Sequence, residues 1–105
     1  MSGRIGPMTR REALRRLTRN REKLRGYSVR HIFLFGSTAR DQATAQSDVD
    51  LLVEFDPQAQ VGLFEFVRLL DHLSDIMDTR IDLATADALR VEMRSGILAE
   101  AIRAF

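Results

Sequence analysis

Residues 31–55 read HIFLFGSTARDQATAQSDVDLLVEF, two apolar runs separated by a polar segment that opens with Gly-Ser. The first run, residues 31–35, is rich in β-branched and aromatic side chains, which is typical of a buried strand. The second run, residues 49–55, predicts another strand for the same reason. Because the first strand ends directly in a glycine, the chain is expected to turn sharply there.

The segment after the first strand has the features of a phosphate-binding turn. Gly36 lets the backbone approach a ligand closely, since glycine has no side chain. Ser37 is predicted to cap a short helix that runs through Arg40 to Ala43, whose first N–H groups would face an anion. A triphosphate is an anion of this kind.

Three aspartates are expected at the same end of the sheet. In a strand, alternate side chains share a face, so Asp48 and Asp50 should project together. Residues 80–85 predict a third strand, with Asp82 on the face opposite Ile81 and Leu83. Adjacent carboxylates repel each other unless a cation lies between them, and Mg²⁺ prefers such hard oxygen ligands together with substrate phosphates. The pattern therefore predicts a magnesium site beside the turn.

A helix is predicted between the second and third strands, from about residue 61 to residue 77. The side chains at helical spacing are expected to form its core face: Leu63, Phe66, Val67, Leu70, Leu73 and Met77. Three further apolar residues, Phe64, Leu69 and Ile76, lie off this stripe. They indicate either a wide core contact or an apolar surface for a partner or a second copy.

The first 30 residues are strongly basic, with ten Arg or Lys against two Glu, a local charge of +8 in a chain of net charge +1. Thr9 and Glu12 predict a helix start, and Gly26 marks its end. The arginines suit a solvated face, a partner-binding face or a nucleic-acid contact. Direct nucleic-acid binding is the least favoured, because no aromatic residues are interleaved for base stacking. Residues 1–7 are expected to be a loose end.

Length and composition agree with a single domain over residues 1–105 that is small for an enzyme with two substrates, so an acceptor would dock from outside. The chain has no cysteine. It also has no apolar stretch of about 20 residues, as a spanning helix requires. We therefore expect a cytoplasmic protein without a membrane partner.

The chain resembles the minimal nucleotidyltransferases of the polymerase-β-like superfamily over nearly its whole length. The resemblance lies in three motifs: Phe35-Gly36-Ser37-Thr38-Ala39-Arg40, Ser47-Asp48-Val49-Asp50-Leu51-Leu52-Val53 and Ile81-Asp82-Leu83. The ten residues between Gly-Ser and Asp-x-Asp make this a specific signal. The resemblance implies an α/β fold, with a small mixed sheet of three or four strands and helices packed mainly on one face.

The resemblance also implies roles for individual residues. Gly36, Ser37 and Arg40 would bind the nucleotide. Asp48, Asp50 and Asp82 would be the catalytic carboxylates and would hold two Mg²⁺ ions, for which Mn²⁺ can substitute. The sequence departs from the family pattern at two positions, with Asp41 where many members have Gly and Val91 in a closing segment that often contains Pro.

Members of this size are commonly antitoxins paired with an all-helical HEPN ribonuclease toxin. The resemblance therefore implies Mg²⁺-dependent transfer of AMP from ATP to a hydroxyl, with tyrosine as the expected acceptor, on a toxin encoded nearby. Two alternatives stay open. One is a non-catalytic antitoxin or adaptor that neutralises its partner by binding; the other is a transferase acting on a small molecule or a nucleic-acid end.

Overall fold

The computed structural model describes residues 7–105; the predicted loose N-terminus lies outside them, except for Pro7, which is exposed. The helices and strands follow one another in this order: α1 (Arg10–Arg19), α2 (Arg21–Arg25), β1 (Val29–Phe35), α3 (Gly36–Ala39), β2 (Val49–Phe55), α4 (Leu63–Met77), β3 (Ile81–Thr85), a 3-10 turn (Ala86–Ala88), α5 (Val91–Glu100) and β4 (Ile102–Arg103). Within these residues, no helix has both the length and the apolar content needed to span a membrane.

Four strands form one mixed sheet in the order β3-β2-β1-β4. The central pair β1 and β2 is antiparallel, β3 runs parallel to β2, and β4 pairs antiparallel with β1. Helices α1 and α2 contact β1, while α4 contacts both β3 and α1. The expected α/β fold with a small mixed sheet is confirmed.

The two central strands and three helices share one apolar core. Burying this surface is the main force that holds the sheet against the helices. Its fully buried large side chains come from every one of these elements: Leu17 of α1, Leu24 of α2, Ile32 and Leu34 of β1, Leu51 of β2, and Leu69, Leu73 and Met77 of α4. Since β2 lies between β1 and β3, the end of the sheet where β2 begins is held in place from both sides.

The core face of α4 differs from the predicted one. Leu69 lies fully buried, although it was placed off the stripe, and Ile76 packs against the core. Leu63 and Val67, predicted as core residues, are 80% and 44% exposed. In this first part of α4, Phe66 alone of the predicted core residues packs against the core, while Leu63 and Val67 lie on the solvent side of the helix. Phe64, in the first turn, is 71% exposed.

The predicted N-terminal helix is divided at Asn20 into α1 and α2. The Thr9 hydroxyl caps α1 as expected, accepting a hydrogen bond from the Glu12 N–H at 3.1 Å. The Glu12 carboxylate, however, pairs with Arg15 and Arg16. Arg16 also donates to the Ile76 carbonyl of α4 at 3.2 Å, so part of the basic charge is used to join two helices.

The short helix after the first strand begins and ends earlier than predicted. It spans Gly36–Ala39 instead of following Ser37 and ending at Ala43, and the Ser37 side chain does not cap it, because Ser37 lies within the helix. Gly36 has a φ of 74°, in the left-handed region that glycine adopts without strain. The chain therefore turns at Gly36 itself and enters the helix at once.

Asp41, which replaces the glycine common in similar sequences, has a structural role. Its φ is 60°, a conformation that aspartate tolerates better than most residues. Its Oδ1 atom accepts a hydrogen bond from the Arg10 N–H at 3.0 Å, which satisfies a free donor in the first turn of α1. The carboxylate thus compensates for the loss of the glycine by joining the end of α3 to α1.

We expect Asp41→Ala to lower the free energy of unfolding by about 1–2 kcal/mol, the usual cost of losing a helix cap. Asp41→Gly should cost less, because the glycine relieves the left-handed backbone while losing the same bond. Urea denaturation of both variants would test this. An alanine variant as stable as the parent, or a glycine variant less stable than the alanine one, would contradict it.

Candidate active site

The three functional segments meet where β1 ends and β2 begins. Asp50 pairs in register with Phe35 on one side and with Asp82 on the other. The Gly36 turn approaches it so closely that a Cβ atom added to this glycine would overlap the Oδ2 atom of Asp50. Asp50 is thus enclosed between the turn and the neighbouring carboxylate, as the sequence predicted.

Asp50 is hard to ionise in this setting. Burial, followed by the negative charges of Asp82 and Asp48 and a hydrogen bond with Asp82, raises the pKa of Asp50 from 3.8 to about 6. The guanidinium of Arg40 acts in the opposite direction but is a smaller influence. A raised carboxyl pKa next to two further carboxylates is the electrostatic signature of a site that favours a cation.

Asp48 is held by a partner that the sequence analysis did not identify. Its Oδ1 atom lies 3.1 Å from Nε of Arg80, the residue before β3, in an exposed ion pair. Within residues 7–105, no group of three acidic, histidine or cysteine side chains is arranged to hold a metal ion as it stands. The donors are nevertheless all carboxylate oxygens, the ligand type that suits Mg²⁺. The chemistry of these donors therefore suits such an ion, although their arrangement in this structure does not yet enclose one.

The proposed nucleotide-binding residues are brought together beside these carboxylates. Gly36, Ser37 and Arg40 lie in or directly after α3, with Ser37 half-buried and Arg40 exposed. The Gly36 N–H donates to Oε1 of Glu100 at 3.2 Å. Arg40 pairs with the same carboxylate through Nη1, 3.1 Å from Oε2. Glu100 was not singled out from the sequence.

Different signals could have found the two residues that were missed. Arg80 stands two residues before Asp82, next to the start of β3, so pairing β3 with β2 brings Arg80 near the site. The Val49 N–H donates a hydrogen bond to the Arg80 carbonyl at 3.0 Å. Glu100 lies 64 residues after Gly36 in the chain. Only the three-dimensional structure shows that the end of α5 reaches the turn.

One cleft of the described residues lies away from this site. This cleft of about 650 Å³ is found at the opposite end of the central strands, where Arg25, Val29, Arg30 and Asp56 are among its lining residues. It contains none of the three aspartates. The candidate site is therefore recognised by its cluster of carboxylates and not by a deep cavity.

This fold is that of a nucleotidyltransferase domain. The chain belongs to the nucleotidyltransferase domain family, which matches residues 14–104. It is 33% identical over 87 residues to protein adenylyltransferase MntA of Thermococcus cleftensis, covering 82% of this chain and 86% of that protein. It is 38% identical over 63 residues to a Methanocaldococcus jannaschii protein assigned as a protein adenylyltransferase, but the match covers only 63% of that relative's length.

Solved structures show the same fold. A protein assigned as a minimal nucleotidyltransferase superposes with a TM-score of 0.68 at 31% identity, over 85% of this chain and 93% of that one. A toxin–antitoxin complex with AMP-PNP contains a chain that superposes with a TM-score of 0.67 at 19% identity, over 84% of this chain and 72% of that one. The resemblance to the minimal nucleotidyltransferases is confirmed. Members of this family generally use divalent metal ions.

Proposed function

We propose that this protein transfers AMP from ATP to a hydroxyl group of a HEPN-type ribonuclease toxin and acts as its antitoxin. The observation that supports this most is the position of Asp50, enclosed between the Gly36 turn and Asp82. A phosphate-binding turn in contact with a carboxylate pair is what nucleotidyl transfer requires, because the phosphates and their charge-neutralising ions must lie side by side.

The relatives support the protein substrate. Thermococcus cleftensis MntA is named a protein adenylyltransferase. A structural neighbour with a TM-score of 0.61 and 17% identity is an MNT antitoxin in complex with a tri-AMPylated HEPN toxin of Shewanella oneidensis. At that identity the likeness is one of fold, so the acceptor is a proposal that must be tested on this chain.

We assign separate roles in binding and catalysis to the residues of the site. The Gly36 N–H, Ser37 and Arg40 would bind the β and γ phosphates, and Asp48, Asp50 and Asp82 would hold two Mg²⁺ ions. When bound, those ions would neutralise negative charge on the phosphate oxygens. Asp82, which is more exposed than Asp50, would accept the proton of the incoming hydroxyl.

We propose that the transfer takes place in a single in-line step. The acceptor oxygen forms a bond to the α-phosphorus, while the bond from that phosphorus to the bridging oxygen of the β-phosphate breaks. Pyrophosphate leaves and the hydroxyl proton passes to Asp82. Catalysis comes mainly from positioning and charge neutralisation, as in other phosphoryl-group transfers.

The acceptor can be identified by incubating the protein with ATP, Mg²⁺ and the small helical protein encoded nearby. We expect the intact mass of that protein to rise in steps of one AMP, on a hydroxyl side chain that we propose to be tyrosine. Modification of RNA ends or of an aminoglycoside instead would support a small-molecule or nucleic-acid transferase. Silencing of the partner without any added mass would favour a non-catalytic antitoxin.

The partner should bind through an apolar anchor and a charged surface. Phe64 is 71% exposed in the first turn of α4, and Arg11 and Arg19 are exposed on α1. Of the residues that we placed off the α4 stripe, only Phe64 remains available, since Leu69 and Ile76 belong to the core.

We expect Phe64→Ala to speed dissociation from the partner, because buried apolar contact mainly sets residence time. Arg11→Ser with Arg19→Ser should instead slow association and weaken its salt dependence, because exposed charges act at long range. Arg16 is left intact, since it joins α1 to α4. Association and dissociation rates across a salt series would test this. Unchanged rates in both variants would remove these surfaces from the interface.

A further inference from the structure

The carboxylate of Glu100 lies where the nucleotide phosphates are proposed to bind. Its Oε1 atom accepts one hydrogen bond from the Gly36 N–H and another from Arg40 Nη1, both at 3.2 Å, and Oε2 lies 3.1 Å from the same nitrogen. The turn therefore already holds an anion, supplied by the last residue of α5.

Glu100 and a phosphate cannot use the Gly36 donor at the same time. A backbone amide has one hydrogen, and at 3.2 Å that hydrogen is directed at Oε1 of Glu100. Arg40 has several N–H groups and could share them between two anions. The hydrogen bond between the Gly36 N–H and Glu100 must therefore break before a phosphate can accept the same hydrogen.

Glu100 can leave the turn by rotation of its side chain, while β4, which begins two residues later, stays paired with β1. No residue of α5 is fully buried, and Val91, Met93 and Leu98 are about half exposed or more. The ion pair between Glu100 and Arg40 is itself partly solvated, with side-chain exposures of 36% and 48%. Displacing Glu100 therefore loses little core packing and only a modest electrostatic interaction.

We infer that Glu100 is an internal competitor for the phosphate-binding turn, which lowers the affinity of the free protein for nucleoside triphosphate. This inference rests on the proposed function, because that function supplies the competing ligand. When an internal group occupies a binding site in most molecules, only the remaining fraction of molecules can bind ligand. The apparent dissociation constant then equals the intrinsic one divided by that fraction. Removing Glu100 should therefore tighten ATP binding by roughly 3- to 10-fold.

The test compares Glu100→Ala with Glu92→Ala, which removes an equal charge from the exposed first turn of the same helix. Calorimetric titration with ATP and Mg²⁺ should show tighter binding for Glu100→Ala and a change of less than about 2-fold for Glu92→Ala. In the ligand-free protein, the amide resonance of Gly36 should shift only in the Glu100 variant. Thermal unfolding of both variants would establish that they are folded.

The outcomes separate the two proposals. If the parent binds ATP and Glu100→Ala binds it no more tightly, or if Glu92→Ala gains as much, the competition by Glu100 is refuted while the proposed function stands. If neither the parent nor any folded variant binds ATP, the proposed function fails and the competition fails with it.

Discussion

Replacing Asp50 with Asn should abolish AMP transfer and at the same time stabilise the metal-free protein at neutral pH. Loss of a ligand and of its negative charge should reduce the rate of transfer by at least about 100-fold, the usual effect of losing one electrostatic contact to a reacting group. The gain in stability follows because Asp50 is ionised at a cost among Asp48 and Asp82.

The sign of the pH dependence follows from the raised pKa. The pKa of Asp50 rises from 3.8 to about 6 on folding, so in this interval the folded protein keeps a proton that the unfolded chain has released. The free energy of unfolding of the parent should therefore fall, relative to that of Asp50→Asn, as the pH rises from about 4 to about 6. The full shift corresponds to about 3 kcal/mol. Because Asp50 is only half-buried and solvent screens its charge, we expect a difference of about 1–2 kcal/mol above pH 6.

Urea denaturation of the parent and of Asp50→Asn across this pH range, with and without Mg²⁺, would measure the difference. Added Mg²⁺ should stabilise the parent above pH 6 and stabilise the variant much less. Asp71→Asn, an exposed aspartate of α4 away from the site, is the matched control and should follow the parent. A variant that keeps the parent's rate of transfer would refute the catalytic role of Asp50.

Among the glycines of residues 7–105, Gly36 should be the one whose replacement by alanine destabilises the protein most. The backbone at Gly36 has a φ of 74°, and the added Cβ would overlap Oδ2 of Asp50. The left-handed backbone alone costs about 1–2 kcal/mol for a non-glycine residue. With the displacement of Asp50 we expect a loss of about 2–4 kcal/mol in the free energy of unfolding.

The matched control is Gly96→Ala, because a Cβ at Gly96 in α5 would meet no atom within 4 Å. That substitution should stabilise the protein by up to about 1 kcal/mol, since alanine favours the helix over glycine. Chemical denaturation of both variants, with transfer assayed on the folded fraction, would compare them. If Gly36→Ala proves as stable as the parent, the close contact between the turn and Asp50 is not as described.

The site could be predicted from the sequence because its elements are local. Gly36 directly follows a strand, and Asp50 and Asp82 stand at equivalent positions of two strands, so pairing those strands brings them together. The pattern of apolar residues and turn signals predicts the strands, and Asp82 was expected beside Asp50 on the condition that the two strands are neighbours, which the structure shows.

The parts that were missed depend on contacts between distant segments. Helical spacing alone does not show where the core ends, and so Leu63 was wrongly expected in the core. For Leu69 and Ile76 the sequence left two alternatives open, and the structure confirms the wide core contact. Likewise, Arg80 and Glu100 are unremarkable as sequence positions. Their roles arise only when β3 and the end of α5 are brought to Asp48 and Gly36.

The group that we propose is transferred to the partner protein is AMP, and not the terminal phosphate of ATP. Parallel reactions with ATP labelled at the α-phosphate and at the γ-phosphate distinguish the two, because only α-label stays with AMP when pyrophosphate leaves. With Mg²⁺ and the helical partner present, we expect α-label on the partner from the parent protein and none from Asp50→Asn. Label transferred from the γ-phosphate, or α-label that Asp50→Asn transfers as well as the parent, would contradict it.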